Sequence, residues 1–204
     1  MDKTFQEQLT AVRRQQIIEA AIDVIAEQGF QRTTIKQIAA RAGIADGTIY
    51  NYFKNKDAIL MAIMGMLSEA EMREIDFAEA QKVEFDQFVS SYVAHRMEEL
   101  AAGHNILKVV MPETIMNAEL GKNIYEQIYT PGFVIAENYF QHLMEKGEMA
   151  AADPVVMARM FASPLLGLLL MRLMGDQHVI DNWDTYTEKL VQLLLTIKGN
   201  DNES

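Results

Sequence analysis

The sequence contains no cysteine. That excludes a disulfide framework, a thiolate metal site and a cysteine nucleophile. It also fits a reducing cytoplasm, where the protein is expected to reside. The N-terminal stretch MDKTFQEQLTAVRRQQ is polar and lacks the apolar core of an export signal. Enzyme motifs are missing too: there is no nucleophile elbow, no glycine-rich phosphate loop and no paired histidine–carboxylate metal spacing. The histidines His95, His104, His142 and His178 are scattered. An enzyme is therefore not expected, nor is a metal or a cofactor. Long uncharged runs are absent as well. The most apolar stretch, Met157 to Met174, contains Arg159, Pro164 and Arg172, whereas a bilayer span needs roughly 20 residues with few or no charges. A buried or interface helix is expected there, and no membrane partner. Positive charge is scarce, with 18 Lys and Arg against 29 Asp and Glu and a net charge of −11.

Half of the 204 residues are hydrophobic, enough to bury a real core in one large or two small domains. The apolar residues recur at helical spacing, and no convincing strand, internal repeat or low-complexity block interrupts them. The expected fold class is all-α: a three-helix N-terminal helix-turn-helix domain, joined by a fourth helix to a larger C-terminal helical bundle. The expected boundaries are 1–56 for the helix-turn-helix domain, 57–82 for the connecting helix, 83–198 for a ligand-binding and dimerisation domain, and 199–204 for a disordered tail.

The charge is unevenly distributed. From Gln31 to Lys56 there are five basic residues (Arg32, Lys36, Arg41, Lys54 and Lys56) and one acid (Asp46), a local balance of +4 that leaves −15 for the rest. Screening confines such effects to about 8–10 Å, so the local patch governs any contact with phosphates.

Within this patch, Thr33 to Phe53 reads as two short helices around a glycine turn. A preceding helix spans Arg13 to Gln28 and ends at Gly29, and Phe30 plugs the core beneath it. Thr34 and Gln37 fit a capping box for the second helix. Ile35, Ile38, Ala39 and Ala42 form its buried face, and Gly43 makes the turn. The third helix runs from about Asp46 to Phe53, with Ile49 and Phe53 inward. Asn55 caps a fourth, expected to continue to about Ala78, with a break around Ala80 to Glu84.

The second helix of a helix-turn-helix enters the major groove while the first crosses the backbone. Gly47 permits close approach, Thr48, Tyr50, Tyr52 and Lys56 offer donors to phosphate oxygens, and Lys36 adds positive charge. Asn51 suits adenine, and the Tyr50 ring suits a thymine methyl. Tyr50 and Tyr52 also have a purely structural alternative, packing on the domain's own surface. An acid at position 46 is unfavourable beside phosphates unless it caps the helix or accepts from cytosine N4. The cap is the preferred reading.

The runs IIEAAIDVIAEQGF, TTIKQIAARAGI and GTIYNYFKNKDAIL, in this order and spacing, resemble the DNA-binding domain of the TetR family of transcriptional regulators from Arg13 to about Leu60. The resemblance implies a homodimer on double-stranded DNA with a pseudo-palindromic operator. It puts Thr34, Thr48, Tyr50, Tyr52 and Lys56 at DNA-contact positions. It implies a C-terminal small-molecule pocket whose occupation weakens operator binding, and pairing through the last two helices, Asp153 to Met174 and Thr185 to Ile197. The chain departs from the family at Ala45, where a capping serine is common, and at Asp46.

The C-terminal part reads as a sensor. Val83 to Ala101 is helical and Gly103 ends it. Ile106 to Met116 is expected to kink or restart at Pro112. Leu120 to Tyr129 forms a further helix, Thr130-Pro131 a cap and new start, and Val179 to Asp184 a loop. Thirteen of the fourteen methionines lie after Asp57, and methionine lines adaptable apolar surfaces. Candidates to line an apolar pocket are Phe88, Tyr92, His95, Met111, Met116, Tyr125, Tyr129, Phe133, Phe161 and Leu165. Arg96, Asn117 and Asn138 are further polar groups able to orient a small apolar effector. Pro164 and Gly167 indicate a kink or a close helix approach. The competing reading is a helical ligand-binding or interaction protein that no longer reads DNA.

Overall fold

Gly29, Gly43, Gly147 and Gly175 have φ between 66° and 88° and each follows the end of a helix, the conformation in which glycine terminates helices without a Cβ penalty. These stops divide an all-helical chain. The computed structural model describes residues 3–68 and 82–198. The expected end of the fourth helix at Ala78, part of the break at Ala80 to Glu84 and the expected tail lie outside the described residues.

Contacts group the chain into two compact units. One combines the residues up to Ser68 with Asn105–Tyr125; the other combines the residues after Ser68, as far as His104, with Glu126 onward. The expected division instead assigned 105–125 to the C-terminal domain.

The first unit holds α1 (Lys3–Gln28), α2 (Ile35–Arg41), α3 (Asp46–Ile49), α4 (Lys56–Ser68), α6 (His104–Met116) and α7 (Ala118–Ile124). Its core includes Ile17, Ala21, Ile25, Ile38, Ala39, Ile49, Ile59, Leu60 and Ile63, all fully buried. The first helix is longer than expected, reaching back to Lys3. Residues 6–12 are all exposed, so no apolar stripe marks them. Helix α3 is shorter than expected: its α-helical part ends at Ile49, and a turn bonded from Tyr52 N and Phe53 N to Ile49 O completes it. Helix α6 continues through Pro112 without a restart. Pro112 and Lys108, whose carbonyl the proline leaves free, are both exposed, so water can satisfy it. Helix α7 comes so close to α6 that a Cβ on Gly121 would lie 2.5 Å from Thr114 O.

The second unit holds α5 (Phe85–Ala102), α8 (Thr130–Glu145), α9 (Pro154–Leu173), α10 (Gln177–Asp181) and α11 (Trp183–Leu195). Thr130-Pro131 is not the cap and restart expected from sequence. A π-turn, Tyr125–Tyr129, leads directly into α8, and Tyr129, not Thr130, precedes that helix with helical dihedrals and no side-chain cap. Pro131 cannot donate to the carbonyl four residues back, and a widened turn accommodates the loss. The expected loop Val179 to Asp184 is instead the end of α10 and the start of α11, which meet at Asn182; α10 is started by Asp176 accepting from Val179 N at 3.2 Å and anchored by buried Val179. Asp153 caps α9 as expected, accepting from Val155 N at 2.8 Å. Helix α9 runs unbroken through Pro164, and a Cβ on Gly167 would meet nothing within 4 Å. Among the described residues no close approach explains that glycine. By length and composition α9 is apolar enough to cross a membrane.

Candidate nucleic-acid interface and sensor core

The helix-turn-helix is fixed by side chains that reach backbone carbonyls. Arg14 on α1 donates to Tyr52 O at 2.6 Å and lies 4.3 Å over the Phe53 ring, holding the end of α3. Gln16 donates to Ala42 O at 2.9 Å, holding the end of α2. The capping box is formed: Thr34 N donates to Gln37 Oε1 at 2.8 Å, and Gln37 N donates to Thr34 Oγ1 at 3.3 Å. Asn55 caps α4, accepting from Ala58 N at 2.8 Å.

Thr34, Lys36, Asp46, Gly47, Tyr50 and Asn51 are exposed, Tyr50 by 59%, while Thr48 and Tyr52 are half-buried. All eight lie in the α2–α3 segment or the turn that follows. Asp46 does not cap α3. Ala45 occupies the N-cap without a side-chain bond, and Asp46 is the first helical residue. An acid in the first turn suits the positive end of the helix dipole.

The basic patch is smaller than its sequence count. Arg41 Nη2 donates to both carboxylate oxygens of Glu27, at 2.7 and 2.8 Å, and its Nη1 lies 3.4 Å from Asp23. These acids raise its pKa further, through the Glu27 hydrogen bond first. Arg32 donates to Gln28 O of the preceding helix. Half-buried Lys56 has its ammonium on three carbonyls of the α1–α2 loop. Lys36 and Lys54 are exposed.

In the second unit, five rings form a contiguous aromatic cluster. Phe88 lies 5.4 Å from Tyr92 and 4.9 Å from Tyr139; Phe161 lies 5.9 Å from Tyr92 and 5.6 Å from Phe140; Tyr139 and Phe140 are 5.8 Å apart. The geometry is that of favourable tilted aromatic pairs. Phe88, Tyr92 and Phe161, expected from sequence, are thus brought together; Leu165 is buried on α9, the helix that carries Phe161. Tyr139 and Phe140 were missed, although they follow Ala136 and precede Leu143 at helical spacing. Burial, then the nearby Glu148 charge, raises the Tyr139 pKa. Beside Tyr139 a cleft of about 130 Å³ is lined by Lys82, Glu84, His142, Lys146 and Glu148.

Other pocket candidates are placed differently. His95 is exposed and pairs with Glu99 at 3.2 Å, and Arg96 is buried beside the same carboxylate. Phe133 is half-buried, with Arg159 lying 4.6 Å over its ring; Tyr129 is half-buried and Asn138 exposed. Met111, Met116, Asn117 and Tyr125 belong to the first unit. Of these Met116 is 82% exposed, and Asn117 is the cap of α7, accepting from Leu120 N. Among the described residues no group of three or more His, Asp or Glu is placed to hold a metal ion.

Comparison with known proteins covers both units. Residues 17–63 match the family described as bacterial regulatory proteins, tetR family, and residues 87–182 match the AefR-like transcriptional repressor C-terminal domain. The chain is 33% identical over 150 residues to the fatty acid metabolism regulator protein of Bacillus subtilis (strain 168), covering 71% of this chain and 74% of that protein. The crystal structure of the transcriptional regulator FadR from Bacillus subtilis in complex with stearoyl-CoA is similar at 30% identity and a TM-score of 0.72, covering 87% of this chain and 97% of that one. The fatty acid degradation regulator FadR from Bacillus halodurans is similar at 26% identity and a TM-score of 0.73, covering 89% and 97%.

Proposed function

This chain belongs to the TetR family of bacterial regulatory proteins and is a DNA-binding transcriptional regulator, and from that premise we propose that it is a cytoplasmic, homodimeric repressor released from a pseudo-palindromic operator by a long-chain acyl effector. The observation that carries the effector class is the likeness, across both units, to a regulator solved with stearoyl-CoA. The aromatic cluster around Phe88, Tyr92, Phe140 and Phe161 supports an apolar ligand in the second unit. Thr34, Lys36, Thr48, Tyr50, Asn51 and Tyr52 are the proposed DNA-facing side chains, and Gly47 admits the backbone.

Pairing is supported by the outer face of α9. Val156, Met160, Leu166, Leu170 and Met171 are all exposed on this one helix, as is Met174 at its C-cap. A contiguous apolar surface of this kind marks an interaction site. A second copy of the same helix, with α11, covers it in this reading. Gly167 lies on that face with open space above it, which suits close approach of a partner helix.

A duplex selected by the protein from a random-sequence pool provides the test. Stearoyl-CoA is expected to weaken operator affinity by about tenfold or more, and the operator to weaken stearoyl-CoA binding by the same factor, because binding linkage is reciprocal. Operator affinity that responds to neither stearoyl-CoA nor free stearate would exclude the acyl effector. Failure to select any duplex would exclude the operator reading itself.

A further inference from the structure

We propose that Lys56 is a positioning residue of the DNA-reading unit, a clamp on the loop that precedes α2, and not a phosphate contact. This deepens the operator-binding reading and rests on it for its DNA readout. A lysine ammonium has three N–H donors. Those of Lys56 face Phe30 O at 2.7 Å, Thr33 O at 3.1 Å and Gln31 O at 3.3 Å. The ammonium also lies 4.3 Å over the Phe30 ring, so its charge is matched by three carbonyl dipoles and one aromatic face. A phosphate would have to draw it away from all four.

The carbonyls it gathers have a structural role. They belong to the turn between Gly29 and Thr34, which hands the chain from α1 to α2. Thr33 in that turn is buried; its N–H donates to Phe30 O at 3.1 Å and its hydroxyl to Gly29 O at 2.9 Å. The next residue, Thr34, is the N-cap of α2. Lys56, the first residue of α4, thus sets the loop on which the capping box stands. Arg14 and Gln16 fix the ends of α3 and α2 in the same manner, by donating to Tyr52 O and Ala42 O. Exposed Lys36 and Lys54 then remain available to phosphates.

Counterion release separates the two roles. Each lost phosphate contact reduces the slope of log affinity against log salt by about 0.9, hence about 1.8 for a position present twice in a dimer. Operator affinity is measured from low to moderate salt on a duplex selected by the wild-type protein. Amide hydrogen exchange at Thr33 is measured without DNA. Lys56→Met is expected to weaken binding with an unchanged salt slope, and to speed Thr33 exchange by about tenfold or more as the turn opens. Lys54→Gln is expected to lower the slope and leave Thr33 exchange unchanged. Either a slope lowered by about 1.8 in Lys56→Met, or an unchanged Thr33 exchange rate, overturns the proposal. Should Lys56→Met not fold, Lys56→Arg serves. It retains the charge, but a planar fork cannot place its donors on three converging carbonyls. Wild-type affinity and wild-type Thr33 exchange in that variant overturn the clamp. If the wild-type protein selects no duplex, the operator reading fails while the exchange measurement still decides the clamp.

Discussion

Tyr139 shows how one side chain carries two environments. Its ring joins the aromatic cluster, and the same residue lines the cleft with His142, Lys146 and Glu148. Burial is the main reason that its pKa is raised from the ordinary 10, with Glu148 adding to it. A phenol that holds its proton longer when folded than unfolded contributes stability that is complete below pH 10. That stability is lost as pH rises above 10, because the unfolded chain releases the proton first. The variant Tyr139→Phe is therefore expected to lose stability less steeply than wild type above pH 10. Urea denaturation midpoints at pH 8, 10 and 11 check this; parallel losses in the two proteins would refute it. Lys56 makes a related point. A lysine near a DNA-reading motif invites a phosphate role, and only its three carbonyl partners reveal another.

At the scale of elements, caps and stops decide where helices lie. The reciprocal bonds of Thr34 and Gln37 start α2, whose seven residues are too few to be stable alone. Thr34→Val keeps the shape and removes the hydroxyl, so it is expected to cost about 1 kcal/mol of folding stability, with Thr34→Ser recovering most of it. Thermal or urea unfolding without DNA measures this independently of any operator contact. The elements that differ from expectation have physical reasons. Residues 6–12 of α1 are helical although all exposed, so the apolar periodicity that marks Arg13 onward does not extend to them. The π-turn at Tyr125–Tyr129 absorbs Pro131 without ending the helix. Helix α10 is five residues long and rests on one cap and one buried valine, a signal too short for periodicity to register.

For the whole molecule, the grouping of 105–125 with the first unit is the main departure from a reading in chain order. Helix α7 packs within that unit, and Gly121 is the point where it approaches Thr114 too closely for any larger side chain. Pairing of two copies belongs to this scale as well. Met160 and Met171 lie on one face of α9, both exposed, so charging them leaves the core of one copy intact. The double variant Met160→Glu, Met171→Glu is expected to sediment as a monomer with wild-type helical content. It is also expected to bind a palindromic duplex at least about tenfold more weakly, since two half-sites need two reading heads. A dimer mass in the double variant would place the interface elsewhere.

The sequence by itself determined the helical class, the glycine stops, the capping box, the inward residues Ile38, Ala39, Ile49 and Phe53, and the family. All of these are local: they follow from spacing along one helix or from the chemistry of a few neighbouring residues. Tertiary structure alone decided what long-range contacts decide. It gave Arg41 and Lys56 their partners, at Glu27 and in the α1–α2 loop. It brought Tyr139 and Phe140 to Phe88 and Phe161, and joined the Trp183 indole N–H to Met97 O across 86 residues at 2.9 Å. Such partners share no period and no motif, because side chains far apart in the chain meet only after the helices have packed.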